Sequence, residues 1–402
     1  MSWRGAVMAC CLMLMLAATC VGCGEQAAVS SAQAPRQAGP PTAYVANSGS
    51  GTVTPIRLAD GTAGQPIKVA RGPEQVLISP DGATAYVAGH PDLGTGPSLA
   101  TLTTIRTATN TVVKIMTMCR AASGDIPKMA ITPDGKTLYF LCRSANRVIA
   151  VRTATLTVGR VINAGPYPDA IAITPDGRTA YIANAGRSTV TPIATATGKP
   201  GPPIRVGLGP DAIAITPDGA TAYVVTTTGK VVPIAIRTSR PGRPIRVPGG
   251  IAVAITPDGS TAYVLSQPNP DSEQGIVLPV RVATGTSGKP IRVGMSPEQI
   301  VVTPDGQMAY ITNFGSGTVT PIRVATGTAG AAIKVGKGPA YLAVTPDSAT
   351  VYVVNSNFYG FRVRSGTLIR LSGSVVPIRV ASGTAGKPIT VGVAPLGIAI
   401  DR

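Results

Sequence analysis

Histidine and aromatic residues are scarce in this 402-residue chain, which has one histidine, one tryptophan and an aromatic content of 4%. The single histidine, His90, excludes multi-copper centres and most zinc hydrolases, because several imidazole ligands build those sites. The chain also lacks the CxxCH motif of haem attachment and a glycine-rich phosphate loop that opens a helix. The sequence therefore carries no recognisable cofactor motif.

Charged residues make up only 13% of the chain, whereas glycine and proline number 47 and 37. Both of these residues favour turns and interrupt helices, so we expect frequent turns and no long helices. The 35 basic residues outnumber the 18 acidic ones, and the formal net charge is +17.

Residues 1–23 have the features of a secretory signal peptide. Arg4 supplies the positive n-region, and Ala6 to Ala18 form an apolar run of 13 residues. This run is too short to be a secure membrane span. We therefore expect export from the cytoplasm.

The stretch from Val21 to Cys23 resembles a bacterial lipobox, in which a small residue precedes a cysteine that becomes the lipidated N-terminus. The resemblance implies that Cys23 is the lipidation site and that the protein is anchored to the outer side of the cytoplasmic membrane. Cys20 stands where leucine is usual, so ordinary cleavage at a nearby site is the alternative. Residues 24–41, rich in Ser, Ala, Gln and Pro, are typical of a flexible linker.

A short motif of the form Thr-Pro-Asp-Gly recurs seven times, at spacings of 53, 42, 42, 40, 47 and 42 residues. The copies, one with Ser first and one with Ser last, begin at Ser79, Thr132, Thr174, Thr216, Thr256, Thr303 and Thr345. Alternating apolar runs such as AIAI and TAYIAN flank each copy, and runs such as TVTPI and KPIRVG follow. Four short strands per repeat of this length predict one blade of a β-propeller.

The two ends of the chain complement each other. The repeats open at Thr42 with the second, third and fourth strands of a unit, and they close with a lone first strand from Leu396 to Ile400. Joining these pieces completes a blade and closes the ring, which removes exposed sheet edges. We therefore predict an all-β fold, an eight-bladed propeller over residues 42–402; seven blades plus a degenerate unit is the alternative.

The repeats resemble the YVTN family of bacterial propellers, whose units pair a Pro-Asp-Gly hairpin with a Tyr-Val-x-Asn strand. The corresponding strands read YVAN at Tyr44, YIAN at Tyr181, YITN at Tyr310 and YVVN at Tyr352. The resemblance implies the propeller fold but leaves function open, since this family and the similar lactonase-like propellers include surface-layer proteins, binding proteins and a few enzymes. The tryptophan-rich blade motifs of quinone-dependent dehydrogenases are missing.

Three loops between second and third strands are expanded, and the repeat order places all three on one face, here called the top face. They follow Gly89, Ser266 and Asn355. We expect a binding surface there, and random drift of loop length is the alternative. The first loop brings His90 and Asp92, a pair that can act as a general base or be ordinary polar surface. The longest expansion adds the aromatic and basic residues Phe358, Tyr359, Phe361, Arg362 and Arg364.

A second candidate site lies where each first strand begins, at the residue after a proline. In chain order the residues are Glu74, Lys128, Asp169, Asp211, Gly249, Glu298, Ala340 and Leu396. This position is expected to ring the mouth of the central channel. Its four carboxylates, from Glu74, Asp169, Asp211 and Glu298, can hold a divalent cation such as calcium or orient a polar ligand. The alternative is that they cap loops or balance nearby arginines.

Basic residues recur on the outer half of the repeats and predict a positive girdle around the rim. Those assigned to third strands are Arg57, Arg106, Arg152, Arg237, Arg281, Arg323 and Arg379. Those on fourth strands are Lys68, Arg205, Arg246, Arg292 and Lys334. Such a girdle can attract anionic lipids, wall polymers or nucleic acid, but solvation and protection of the outer strands explain it more simply, and an exported protein rarely meets nucleic acid.

Two cysteines remain in the repeats: Cys119 in the segment leading to the third unit, and Cys142 at the end of that unit's second strand. Export favours oxidation, so we predict a disulfide between them.

Taken together, these features predict an exported, lipid-anchored and monomeric binding scaffold without catalysis, whose ligand is a protein, a glycan or a small molecule. The alternative function is a lactonase-like hydrolase that uses the channel-mouth carboxylates with a divalent cation.

Overall fold

The computed structural model describes residues 41–90, 98–122, 125–268, 274–357, 361–364 and 367–401. For residues 361–364 and 367–370 it describes the backbone alone. The predicted signal peptide, the lipidation site Cys23 and nearly all of the predicted linker lie outside these ranges, as do Asp92, Phe358 and Tyr359.

The described residues form eight antiparallel β-sheets and one separate two-stranded hairpin, and they contain no helix. The prediction of an eight-bladed, all-β propeller is confirmed. We number the blades 1 to 8 from the one that holds Thr42, and we call the strands of a blade inner, second, third and outer, from the central axis to the rim.

The inner strands of blades 1 to 8 are, in that order, Pro395–Ile400, Pro73–Ile78, Met129–Ile131, Pro168–Ile173, Pro210–Ile215, Gly250–Ile255, Pro297–Val302 and Pro339–Val344. The second strands are Thr42–Asn47, Thr84–Gly89, Thr137–Cys142, Thr179–Asn184, Thr221–Thr226, Thr261–Ser266, Met308–Asn313 and Thr350–Asn355. The third strands are Thr52–Arg57, Ser98–Arg106, Arg147–Arg152, Thr189–Ala194, Lys230–Ala235, Gln274–Arg281, Thr318–Arg323 and Ser372–Arg379.

The outer strands are continuous in two blades, as Thr111–Ala121 in blade 2 and Thr157–Ile162 in blade 3. In the other six blades the outer strand consists of two short segments, which are Thr62–Ala63 with Ile67–Lys68, Lys199–Pro200 with Ile204–Arg205, Arg240–Pro241 with Ile245–Arg246, Thr286–Ser287 with Ile291–Met295, Thr328–Ala329 with Ile333–Lys334, and Thr384–Ala385 with Ile389–Val393. The separate hairpin pairs Phe361–Arg364 with Thr367–Arg370, within the longest expanded loop.

The Thr-Pro-Asp-Gly turn joins the inner strand to the second strand through side-chain hydrogen bonds. In blade 4 the Thr174 hydroxyl donates to Asp176 Oδ1 at 2.6 Å and accepts from the Thr179 N–H at 3.0 Å. Asp176 Oδ1 also accepts from the Arg178 N–H at 3.0 Å, and Gly177 has a φ of 71°. The residue types of the motif therefore meet the hydrogen-bonding and backbone requirements of this turn.

The hydrophobic core lies between neighbouring blades. One cluster joins Tyr139 and Leu141 of blade 3 to Ala180 and Ile182 of blade 4, and equivalent clusters repeat around the ring. The repeated tyrosine reaches the next blade: the Tyr44 hydroxyl lies 2.8 Å from Asn110 Oδ1. Each blade thus buries its apolar faces only by packing against its neighbours.

Strands from both ends of the chain complete blade 1. The inner strand Pro395–Ile400 pairs with the second strand Thr42–Asn47, with Ala43 opposite Ile400 and Val45 opposite Ile398. The inner strand of blade 1 also packs against those of blades 2 and 8, so the ring is closed.

No helix in the described ranges is long and apolar enough to cross a membrane. One assignment to the basic girdle was wrong. Arg237 follows the third strand of blade 5, and Ala235 occupies there the place that Arg57 has in blade 1.

Candidate functional site at the channel mouth

In seven of the eight blades, the pairing of the inner strand with the second strand contains a β-bulge just after the first residue of the inner strand. In blade 4, Pro168 pairs with Asn184 and Ala170 with Ala183, so Asp169 is the unpaired extra residue. A bulge interrupts the alternation of side chains and re-aims the residue it contains. The four predicted carboxylate residues, Glu74, Asp169, Asp211 and Glu298, all lie at this position or directly beside the irregular register.

One predicted member of this ring was wrong. Gly250 pairs with Ser266 as Pro168 pairs with Asn184, so the equivalent residue of blade 6 is Ile251, not Gly249. The predicted position was two residues early, because Gly250 stands where the other inner strands begin and the nearest proline, Pro248, lies two residues before it.

Two of the four carboxyl groups meet. The side chain of Asp169 in blade 4 lies within hydrogen-bonding reach of that of Asp211 in blade 5. Burial, together with the nearby Asp211 side chain, raises the pKa of Asp169 to about 6. The Asp169 side chain is 13% exposed, so it reaches solvent at the channel mouth.

Arg143 places a positive charge beside this acid pair. Its Nε lies 3.3 Å from Asp169 Oδ1, and its Nη1 lies 3.9 Å from Asp125 Oδ1. Asp125 is buried and accepts hydrogen bonds from the N–H groups of Ala122 and Ser144, at 3.0 and 3.2 Å. Asp125 therefore holds in place the loop that carries Arg143.

An exposed aromatic ring completes this side of the mouth. The Arg143 guanidinium lies 6.0 Å from the centre of the Tyr167 ring, and Tyr167 is 49% exposed. Tyr167 has a φ of 52°, an unusual value for a bulky residue, at a position where blades 2 and 5 have Gly72 and Gly209. Such a conformation costs of order 1–3 kcal/mol and is found most often at functional sites.

The other two carboxylates form a second group with Tyr341. Burial, followed by the negative charges of Glu298 and Glu74, raises the pKa of Tyr341 to about 12. Glu298 is exposed to solvent, but the surrounding protein still removes enough water to raise its pKa. The four predicted carboxylates thus divide into two groups.

Within the described ranges, no group of three or more His, Cys, Asp or Glu side chains is placed to hold a metal ion. A cation at the channel mouth would therefore be held by the Asp169–Asp211 pair or by the Glu74–Glu298–Tyr341 group together with other donors.

The expanded loops are described only in part. His90 is buried, with 1% exposed, and its Nε2 lies 3.1 Å from the carbonyl oxygen of Ala122. Phe361, Arg362 and Arg364 lie on the first strand of the separate hairpin. Their predicted role in binding stays a prediction.

The structure joins Cys119 to Cys142, with a Cα–Cα distance of 6.2 Å. Cys119 lies within the outer strand of blade 2, opposite Ala100, and not in a loop. The disulfide therefore links two neighbouring blades, next to Arg143.

Sequence reasoning missed Arg143, Asp125, Tyr167 and Tyr341. One signal was available for Tyr167, since it stands directly before the first residue of an inner strand, where blades 2, 5, 6 and 8 have glycine. Arg143 and Asp125 have no such signal, because residues distant in sequence meet there only in the folded ring: Arg143 contacts Asp125 from the loop that enters blade 3 and Asp169 from blade 4.

No protein-family model matches the sequence, and no curated protein sequence is similar to it. Solved structures with the same fold include hydrazine synthase of Kuenenia stuttgartiensis, with 23% identity and a TM-score of 0.56, covering 77% of this chain and 96% of that chain. The dihydro-heme d1 dehydrogenase NirN has 16% identity and a TM-score of 0.67, covering 89% of this chain and 74% of that one. A protein of unknown function from Desulfotomaculum acetoxidans has 18% identity and a TM-score of 0.55, covering 74% of this chain and 97% of that one. At these identities the likeness shows the shared β-propeller fold alone.

Proposed function

We propose that this protein is an exported, lipid-anchored propeller of the YVTN type that binds a ligand at the mouth of its channel without transforming it. The adjacent carboxyl groups of Asp169 and Asp211, with Arg143 beside them, carry the proposal. A ligand with a basic nitrogen can donate hydrogen bonds to both carboxylates.

The surroundings of the acid pair support a ligand that is partly organic. The exposed ring of Tyr167 provides an apolar face next to the pair, and cations stack favourably on such rings. Arg143, already held by Asp125 and Asp169, provides a donor for an acceptor group of the same ligand. A compound with a basic nitrogen and nearby hydroxyl or carboxylate groups fits this set.

Thermal melts of the purified protein at constant ionic strength test the proposal, with 1,4-diaminobutane as the probe for an organic cation and calcium chloride as the probe for a metal ion. A ligand that binds only the folded state raises the melting temperature by mass action. We expect a saturable rise with diaminobutane that Asp169→Asn and Asp211→Asn abolish and that Glu298→Gln, in the separate acidic group, leaves in place. No rise with either cation contradicts the proposal.

Cell fractionation tests the lipid anchor. Cys23→Ala is expected to release the protein from the membrane fraction, whereas Cys20→Ala, three residues away, leaves it there. Equal release of both variants, or of neither, contradicts lipidation at Cys23.

A hydrolase is the second candidate, because a carboxyl pair with one raised pKa is an arrangement used in acid–base catalysis. Lactone hydrolysis by the purified protein, with and without calcium, separates the two functions. Turnover that Asp169→Asn abolishes, while the melt still shows a folded protein, identifies an enzyme. Ligand binding without turnover identifies a binding protein.

A further inference from the structure

A cavity of about 150 Å³ opens between blades 3 and 4, on the face opposite the channel mouth. Tyr139 and Thr137 line it from the second strand of blade 3, and Arg152 and Arg160 line it from that blade's third and outer strands. The turn of blade 4 that holds Thr195 and Gly198 closes it on the other side.

A bulge gives Arg160 its position. Ala150 pairs with Arg160 and Val151 pairs with Val158, so Gly159 is an extra residue in the outer strand. Arg160 packs so closely on blade 4 that a Cβ added to Gly198 would lie 2.6 Å from Arg160 Cδ. At two other interfaces the equivalent glycine faces an isoleucine of the preceding blade.

The neighbouring interface shows what a basic residue at this position does when it has a partner. In blade 2, Thr104 pairs with Lys114 and Ile105 with Val112, so the outer strand has the same bulge. Lys114 Nζ donates to the carbonyl oxygen of Leu156 in blade 3, at 2.8 Å. Within the described ranges, the Arg160 guanidinium has neither an ion pair nor a hydrogen bond.

The charge around this cavity differs from that at the other interfaces. No acidic residue lines it. Burial raises the pKa of the Tyr139 hydroxyl, and the positive charge of Arg160 opposes that rise. Six of the other repeated tyrosines instead feel the negative charge of an aspartate, namely Tyr44, Tyr86, Tyr181, Tyr263, Tyr310 and Tyr352.

We propose that this cavity binds an ionised phosphate or sulfate group, either free or carried as an ester on a larger molecule. Guanidinium groups match such oxyanions with paired donors, and Arg152 and Arg160 supply two of them. The Tyr139 hydroxyl lies at the inner wall, where it adds a third donor. At about 150 Å³, the cavity has room for one oxyanion. This site is independent of the ligand site proposed at the channel mouth.

Titration calorimetry of the purified protein with inorganic phosphate, at constant ionic strength in chloride buffer, tests the proposal. We expect one saturable site whose affinity falls at least tenfold in both Arg160→Gln and Arg152→Gln. Arg281→Gln is the matched control, because Arg281 is exposed and has in blade 6 the register position that Arg152 has in blade 3. Tyr139→Phe is expected to weaken binding by a smaller factor.

Two results overturn the proposal. One is the absence of saturable heat with both phosphate and sulfate, and the other is an equal loss of affinity in Arg281→Gln, which indicates non-specific charge attraction. The thermal melt of each variant verifies folding, and the exposed arginines are not expected to affect it. Parallel titrations with glycerol 3-phosphate and with vesicles containing an anionic phospholipid then distinguish a free anion, a soluble ester and a lipid headgroup.

Discussion

The main-chain N–H of Thr42 donates a hydrogen bond to the carboxylate of Asp401, which lies 359 positions away in the chain. The Asp401 N–H donates in turn to the carbonyl oxygen of Thr42, at 3.0 Å. This reciprocal pair extends the ladder between the two end strands of blade 1 and secures the point where the ring closes. Every blade depends on its neighbours for burial, so the closure stabilises the whole ring.

The first prediction concerns Gly397, which lies at this closure. A Cβ at Gly397 would lie 2.3 Å from the carbonyl oxygen of Glu74 and 3.3 Å from Gln75 Cα. Because backbone atoms cannot move aside cheaply, Gly397→Ala is expected to lower the free energy of unfolding by about 1–3 kcal/mol. Chemical denaturation measures this loss.

The matched control for Gly397→Ala is Ala212→Ser, which adds one atom at the same register position of blade 5. We expect a clearly smaller loss there. Equal effects of the two substitutions show that the close approach at the ring closure has no special role.

The second prediction concerns pH and the acid pair. The pKa of Asp169 is raised to about 6, mainly by burial, so the ionised form is disfavoured in the folded state. The stability that this group contributes is complete below its unfolded pKa of about 3.8 and is lost as the pH rises through about 6. Asp169→Asn is therefore expected to raise the melting temperature at pH 7 and to have little effect at pH 4.

Asp176, in the repeated turn, has a lowered pKa and therefore the opposite dependence of stability on pH. The hydroxyl of Thr174 and the N–H of Arg178 hold the pKa of Asp176 below its usual value, so its contribution is present above pH 3.8 and is lost as the pH falls. Asp176→Asn is expected to cost about 1 kcal/mol at neutral pH, because it weakens these hydrogen bonds. If Asp169→Asn lowers the melting temperature at pH 7, as Asp176→Asn is expected to do, the account of Asp169 fails.

The third prediction concerns the disulfide between blades 2 and 3. Cys119 and Cys142 are 23 positions apart, and a crosslink over such a length is worth about 3 kcal/mol through the entropy of the unfolded chain. The double variant Cys119→Ala/Cys142→Ala is expected to lose about this much stability. Since Arg143 follows Cys142 directly, the variant is also expected to weaken binding at the channel mouth. Chemical denaturation of the unmodified protein with and without a thiol reductant measures the contribution of the disulfide. Equal stability under the two conditions contradicts the prediction.

The fourth prediction concerns the unusual backbone of Tyr167. Ala394 occupies the same position in blade 1, with a φ of 48°. Glycine adopts this conformation without strain, so Ala394→Gly and Tyr167→Gly are each expected to stabilise the protein by up to about 1 kcal/mol. Only Tyr167→Gly is expected to weaken binding of diaminobutane. Unchanged binding in that variant shows that the aromatic ring has no part in the site.

The sequence by itself determined the blades. Within one repeat, the Thr-Pro-Asp-Gly turn and the strict alternation of the flanking strands set the hairpin through local hydrogen bonds and backbone preferences, as Thr174 and Asp176 show. The incomplete units at the two ends of the chain were enough to predict the eighth blade. The register of one inner strand was predicted wrongly: Gly250 replaces the usual proline, and the prediction for blade 6 was two residues early.

Only the tertiary structure decided what the variable residues do. The carboxylates after the inner-strand prolines occupy equivalent positions in sequence, yet Asp169 and Asp211 meet in adjacent blades while Glu74 and Glu298 act on Tyr341. Likewise, Lys114 and Arg160 follow equivalent bulges, and only Lys114 finds a carbonyl oxygen among the described residues. These contacts cross from one blade to another, so they depend on the ring geometry, which no local pattern of residues encodes.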